Sequence, residues 1–133
     1  MKRLCALLLT IALLGLCACG ESAGVISITK ESWDVAYISF YEQPITEILE
    51  EETPIRPGKV FTGKAKKGSW EMEIIDVTKR GVIVNLVLDN CTIYKGQDPI
   101  EKVTNTLLLY GKKYTISTPA LTGECSIWYI TLS

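Results

Sequence analysis

From Val25 onward, apolar and polar residues mostly alternate with a period of two, which is the pattern of a strand with one buried face. Val25 to Thr29 and then Trp33-Val35-Tyr37 against Asp34-Ala36-Ile38 are rich in β-branched and aromatic residues and predict early strands. The clearest signal follows at Trp70-Met72-Ile74, alternating with Glu71 and Glu73. The chain then turns at Thr78-Lys79-Arg80-Gly81 and resumes with Val82-Val84-Leu86-Leu88 on one face. This predicts a β-hairpin, with Gly81 where a three-residue loop wants a left-handed residue. Ile75 and Ile83 interrupt the alternation, as expected if both faces are partly covered. A second hairpin is predicted from Thr106 to Tyr110, through Gly111-Lys112, to Tyr114 to Ser117. Cys125 to Leu132 reads as a final strand paired into the sheet, so that its removal is costly.

Pro44 to Glu52 is ambiguous. Ile45, Ile48 and Leu49 fit a helical face that Pro44 could start, and propensity alone does not decide between helix and strand. About seven or eight short strands, regular turn signals and little helix predict an all-β antiparallel sandwich. An immunoglobulin-like arrangement is one form of it, and an open β-barrel is the alternative.

The first twenty residues follow a different rule. Lys2 and Arg3 precede an apolar run from Leu4 to Leu16, the n-region and h-region of an export signal. The run is shorter than the roughly 20 apolar residues a spanning helix needs, and it ends in small residues. Leu16-Cys17-Ala18-Cys19-Gly20 resembles the lipobox of bacterial lipoproteins, with an aliphatic residue three before the cysteine and a small one just before it. Cys17 fits less well, because Leu16 would occupy the small-residue position. The resemblance implies cleavage of residues 1–18, lipidation of Cys19 with acyl chains such as palmitate, and a place on the extracytoplasmic face of the cell membrane. It covers the processing signal and carries nothing about the domain's activity. One acyl chain binds only marginally, at about 0.8 kcal/mol per buried methylene, so the two or more chains implied here make a stable anchor.

Residues 19–24 then read as a short tether and 25–133 as one β-rich domain, large enough for a modest core. The 14 basic and 15 acidic side chains nearly balance, and loss of Lys2 and Arg3 makes the mature chain more acidic. That argues against a nucleic-acid partner, whose electrostatic footprint is basic. Cys91 and Cys125 are candidates for a disulfide in an oxidising compartment, for which chain entropy gives about 3–4 kcal/mol, and two buried thiols are the competing reading.

The chain has no histidine, which removes the commonest general base, the triads that depend on it and the commonest metal ligand. Two cysteines without histidine make a poor zinc set, and no metal or cofactor is expected. Neither a phosphate-binding G-x-x-x-x-G-K-[ST] nor a G-x-G-x-x-G motif is present. Glu71 and Glu73 share the polar side of their strand, where a solvated sheet face is the simpler account than paired catalytic carboxylates. The acidic run Glu47, Glu50, Glu51 and Glu52 and the basic run Lys59, Lys64, Lys66 and Lys67 likewise read as solvated surface. The sequon Asn90-Cys91-Thr92 has no meaning beside a bacterial lipobox.

Aromatic residues remain as candidate binding groups, because Trp and Tyr offer rigid faces to sugars or to protein partners. Trp33, Tyr37 and Tyr41 recur along one early segment, and Trp128 and Tyr129 must point to opposite faces of a regular strand. Core filling competes for each of them. The expectation is a non-enzymatic, membrane-anchored binding or accessory module for another envelope protein. The alternative is a module for peptidoglycan or another glycan, bound through exposed aromatic residues.

Overall fold

A computed structural model describes residues 24–34, 44–119 and 124–133. They form ten strands: β1 (Val25–Asp34), β2 (Ile45–Pro54), β3 (Val60–Lys64), β4 (Ser69–Val77), β5 (Gly81–Asp89), β6 (Thr92–Lys95), β7 (Asp98–Pro99), β8 (Thr106–Leu109), β9 (Lys113–Ser117) and β10 (Glu124–Leu132). Six make one antiparallel sheet in the order β2-β1-β10-β9-β6-β7, and four make a second in the order β3-β4-β5-β8. The two pack face to face as a β-sandwich. The first and last strands are antiparallel neighbours in one sheet, whereas an immunoglobulin constant domain places its first and last strands in opposite sheets.

The period-two pattern explains how the core forms. Ile26 and Ile28 of β1, Ile93 of β6, Tyr114 and Ile116 of β9, and Trp128, Ile130 and Leu132 of β10 point inward from the larger sheet. Phe61, Trp70, Met72, Ile74, Val82, Val84, Leu86 and Leu108 meet them from the smaller one. Each large apolar side chain so buried contributes about 1.5–3 kcal/mol against leaving it in water. Trp70 and Trp128 join the sheets edge to face, with ring centroids 6.0 Å apart at 84°. β10 lies between β1 and β9, which agrees with the expectation that the last strand is integral to the sheet.

The hairpin read around Thr78 is present as β4 and β5, but Gly81 acts differently from expectation. Its φ is not positive. A Cβ there would come within 1.9 Å of the Leu108 carbonyl oxygen, so glycine is required by the close approach of β8. The turn is organised by Thr78, whose hydroxyl donates to Gly81 O at 2.9 Å and accepts from the amides of Arg80 and Gly81. Ile75 interrupts the alternation because the register shifts between Ile74 and Asp76, a bulge that leaves it on the surface.

The second predicted hairpin needs correction. Its two strands and its Gly111 turn (φ 77°) exist, yet β8 pairs with β5 while β9 pairs with β10 and β6. The turn therefore carries the chain from one sheet to the other. Tyr114 braces this crossing by accepting the Leu109 amide on its hydroxyl oxygen at 2.8 Å, an arrangement similar to the tyrosine corner of other sandwiches.

Pro44 to Glu52 resolves as strand, because β2 pairs along β1 from Ser32–Ile45 to Val25–Pro54 with irregularities near Ile28. Strand pairing satisfies its backbone on one side, which its sequence could not reveal.

Candidate interaction surface

Strand registers place one row of residues directly across the outer face of the larger sheet. Ile48 lies opposite Thr29, Thr29 opposite Tyr129, Tyr129 opposite Thr115, and Thr115 opposite Tyr94. Directly opposed residues share a face, so two tyrosines, two threonines and an isoleucine line up across five strands. Tyr129 is 38% exposed and Ile48 66%. Two strand spacings put Tyr94 and Tyr129 about 10 Å apart. The Tyr129 hydroxyl donates to Glu31 Oε2 at 3.2 Å, which fixes the direction of the ring. Burial, and then the charge and hydrogen bond of Glu31, raise the Tyr129 phenol above the usual tyrosine range.

The same registers sort the aromatic candidates. Trp128 is fully buried, so it is a core residue and unavailable as a surface contact, while its neighbour Tyr129 faces outward. Trp33 is half-buried and lies opposite Cys125 on the outer side of the larger sheet. Tyr37, Tyr41 and Cys19 lie outside the described residues. Tyr94 was not singled out in the sequence, because its four-residue strand is too short to show alternation.

Cys91 and Cys125 are both free thiols in the structure, so the candidate disulfide is not formed. The reason is one of sides. Cys125 occupies an outward position opposite Trp33, with its thiol 3.9 Å from the Thr118 carbonyl, whereas Cys91 packs against the core near Gly68. Burial, with a smaller effect from the Asp89 charge, raises the Cys91 thiol above its usual range.

The larger sheet ends on β2 at one side and on the two-residue β7 at the other, so β2 is its long end strand. It is ten residues long, and among the described residues no strand pairs with its outer edge. Ile45 is 71% exposed. Glu47, Glu51 and Glu52 are exposed on the same strand, while the Glu50 carboxylate accepts the Thr53 hydroxyl at 2.6 Å. Residues read from the sequence as a solvated acidic run thus lie along an open sheet edge.

The basic run does not gather into a single patch. Lys59 precedes β3 and Lys64 ends it, with the Lys59 ammonium 5.8 Å above Phe61. Lys66 pairs with Glu124 at 3.6 Å, but at 82% side-chain exposure such a pair contributes little. At the end of the sandwich, Lys30, Trp33, Glu47, Lys66, Lys67 and Glu124 border a cavity of about 570 Å³. Lys30 is committed within it, donating to Lys64 O at 2.7 Å with its ammonium 5.5 Å over Trp128. The charges bordering this space are of both signs, which gives no net attraction for one class of ion.

Glu71 and Glu73 stand exposed on the outer face of the smaller sheet, opposite Thr62 and Val87 and opposite Val60 and Asn85 respectively. No acid group faces either across the sheet. Among the described residues no group of three or more His, Cys, Asp or Glu side chains converges as a metal set. Nor is any helix there long and apolar enough to cross a membrane. No family model matches the chain, and no curated protein or solved structure is similar enough to count as a match.

Proposed function

We propose that this chain is a lipid-anchored, non-enzymatic binding module on the extracytoplasmic face of a cell membrane, where it contacts another envelope protein. The observation that carries this reading is the open edge of β2, regular in register from Ile45 to Ile48, with both isoleucines exposed and no partner among the described residues. The irregular, glutamate-rich stretch beyond Ile48 discourages pairing, whereas the unpaired amides and carbonyls of a regular edge such as Ile45 to Ile48 recruit other chains. The lipobox around Cys19 supports the anchor. Replacing Cys19 with Ala should move the protein from the membrane to the soluble fraction, and unchanged fractionation would remove the anchor from this reading. Crosslinking in intact cells of the native organism should capture one protein reproducibly.

A second reading, as a glycan-binding module, draws on the row that carries Tyr94 and Tyr129. Tyrosines two strands apart on a face rich in threonine suit sugar rings, which stack on aromatic faces and bond to hydroxyls. Recovery of glycan fragments without a protein would favour it. Tyr129→Ala should then reduce retention on purified cell wall, with no effect on membrane fractionation.

A further inference from the structure

We infer that the end of the sandwich next to the tether docks on an anionic lipid surface, the one that holds the anchor. This rests on the proposed lipid anchor at Cys19 and adds the pose of the domain. Backbone bonds bring several connections together at that end. Gly24 accepts the Ile55 amide at 3.0 Å. Tyr110, whose hydroxyl lies 2.7 Å from where a Cβ of Gly24 would stand, donates its amide to the Arg80 carbonyl at 3.0 Å. Gly111 donates to Leu132 at 2.8 Å, and Gly96 to Lys113 at 3.4 Å. These connections expose Arg56, Lys79, Arg80, Lys95, Lys112 and Lys113. The acidic side chains beside them are fewer: Asp76, whose carboxylate accepts the Val77 amide, Asp98 opposite Lys95, and Glu52 farther back along β2. The chain as a whole has a formal charge of −1, so strand order creates this basic end by placing Glu47, Asp89 and Glu124 toward the opposite one.

Reach selects the occupant. Gly24 is five residues from Cys19, and an extended chain covers at most about 3.6 Å per residue, so this end stays within about 18 Å of the lipid-bearing residue. Basic residues held that close to an anionic leaflet are drawn onto it, by an attraction that fades within a Debye length of roughly 8–10 Å. β1 is ten residues long, about 33 Å, which puts Lys66 and Lys67 at the opposite end beyond that range. The same pose turns the regular Ile45 to Ile48 edge of β2 away from lipid, where a protein can reach it.

The experiment reconstitutes the full-length lipidated chain into vesicles of phosphatidylcholine, alone or mixed with phosphatidylglycerol, and follows acetylation of individual lysines by mass spectrometry. On the mixed vesicles Lys79, Lys95, Lys112 and Lys113 should react about threefold more slowly, because the leaflet covers them and its negative potential concentrates protons there. Lys66 and Lys67 should not change. Salt at about 1 M, which shortens the Debye length to about 3 Å, should remove the difference. The Lys79→Glu/Lys112→Glu double variant, changed at two exposed turn positions, should cost Lys95 and Lys113 their protection. Equal rates on the two kinds of vesicle overturn the inference, as they would if this end served a protein instead, and so does slowing that is uniform over both ends. Intact mass separates the two levels. Equal rates on a chain that carries its acyl groups remove the docking alone, whereas a chain without acyl groups removes the anchor and the docking together.

Discussion

Tyr114 shows how one side chain serves two structural demands. Its ring is fully buried in the core, and its hydroxyl accepts the Leu109 amide where the chain crosses between sheets. Tyr114→Phe keeps the packing and leaves that amide without its acceptor, so denaturant unfolding should show a loss of about 1–3 kcal/mol. Gly63 is equally constrained, because a Cβ there would meet Trp70 Nε1 at 2.1 Å and Trp128 Nε1 at 2.8 Å. Gly63→Ala forces apart the indole pair that joins the sheets, at a cost of about 1–3 kcal/mol measured in the same way. Cys91 illustrates an effect on reactivity. With its thiol raised by burial and by Asp89, little thiolate is present near neutral pH, and alkylation by iodoacetamide should be slow there and accelerate under alkaline conditions.

Individual strands differ in how much of themselves is legible in the sequence. β4 and β5 are recognisable because alternation, turn residues and length agree along both, and each buries one clean face. β2 was ambiguous because Ile45 and Ile48 are spaced like a helical face, although both are exposed and only Leu49 reaches the core. Its strand character comes from pairing with β1, a long-range contact that no local window contains. The crossing at Gly111 reads as a hairpin for a related reason, since a tight turn looks the same in sequence whether its strands pair with each other or leave for different sheets. β10 reads as an integral strand, and it carries Trp128, Ile130 and Leu132 into the core while pairing on both sides. Truncation before Ile127 removes these residues and the ladders to β1 and β9 together, and circular dichroism should show no cooperative unfolding transition.

Over the whole molecule, two tyrosines link stability to alkaline pH. Tyr110 and Tyr129 both have phenols raised above the usual range, in each case chiefly by burial. The folded chain holds these protons at a pH where the unfolded chain, with phenols near about 10, has begun to lose them. Their contribution is therefore fully present below that value and is lost as pH rises through the raised folded values. The melting temperature should be insensitive to these groups near neutrality and fall above about pH 10. Tyr129→Phe should lessen that fall, as thermal scans across the alkaline range would show.

The sequence by itself determined the fold class, because a period-two pattern with β-branched and aromatic residues can bury its apolar face only by making sheets that pack. It also supplied the export and lipidation signal as an expectation, since such signals are read locally along the chain. Tertiary structure decided what depends on distant partners. Burial of Trp128 beside exposed Tyr129, separation of Cys91 from Cys125, the approach of β8 to Gly81, and the alignment of Tyr94 with Tyr129 all follow from strand order and register. The open edge of β2 belongs with them, because a strand becomes an edge only through the strands that fail to pair with it, and that is a property of the assembled sheet.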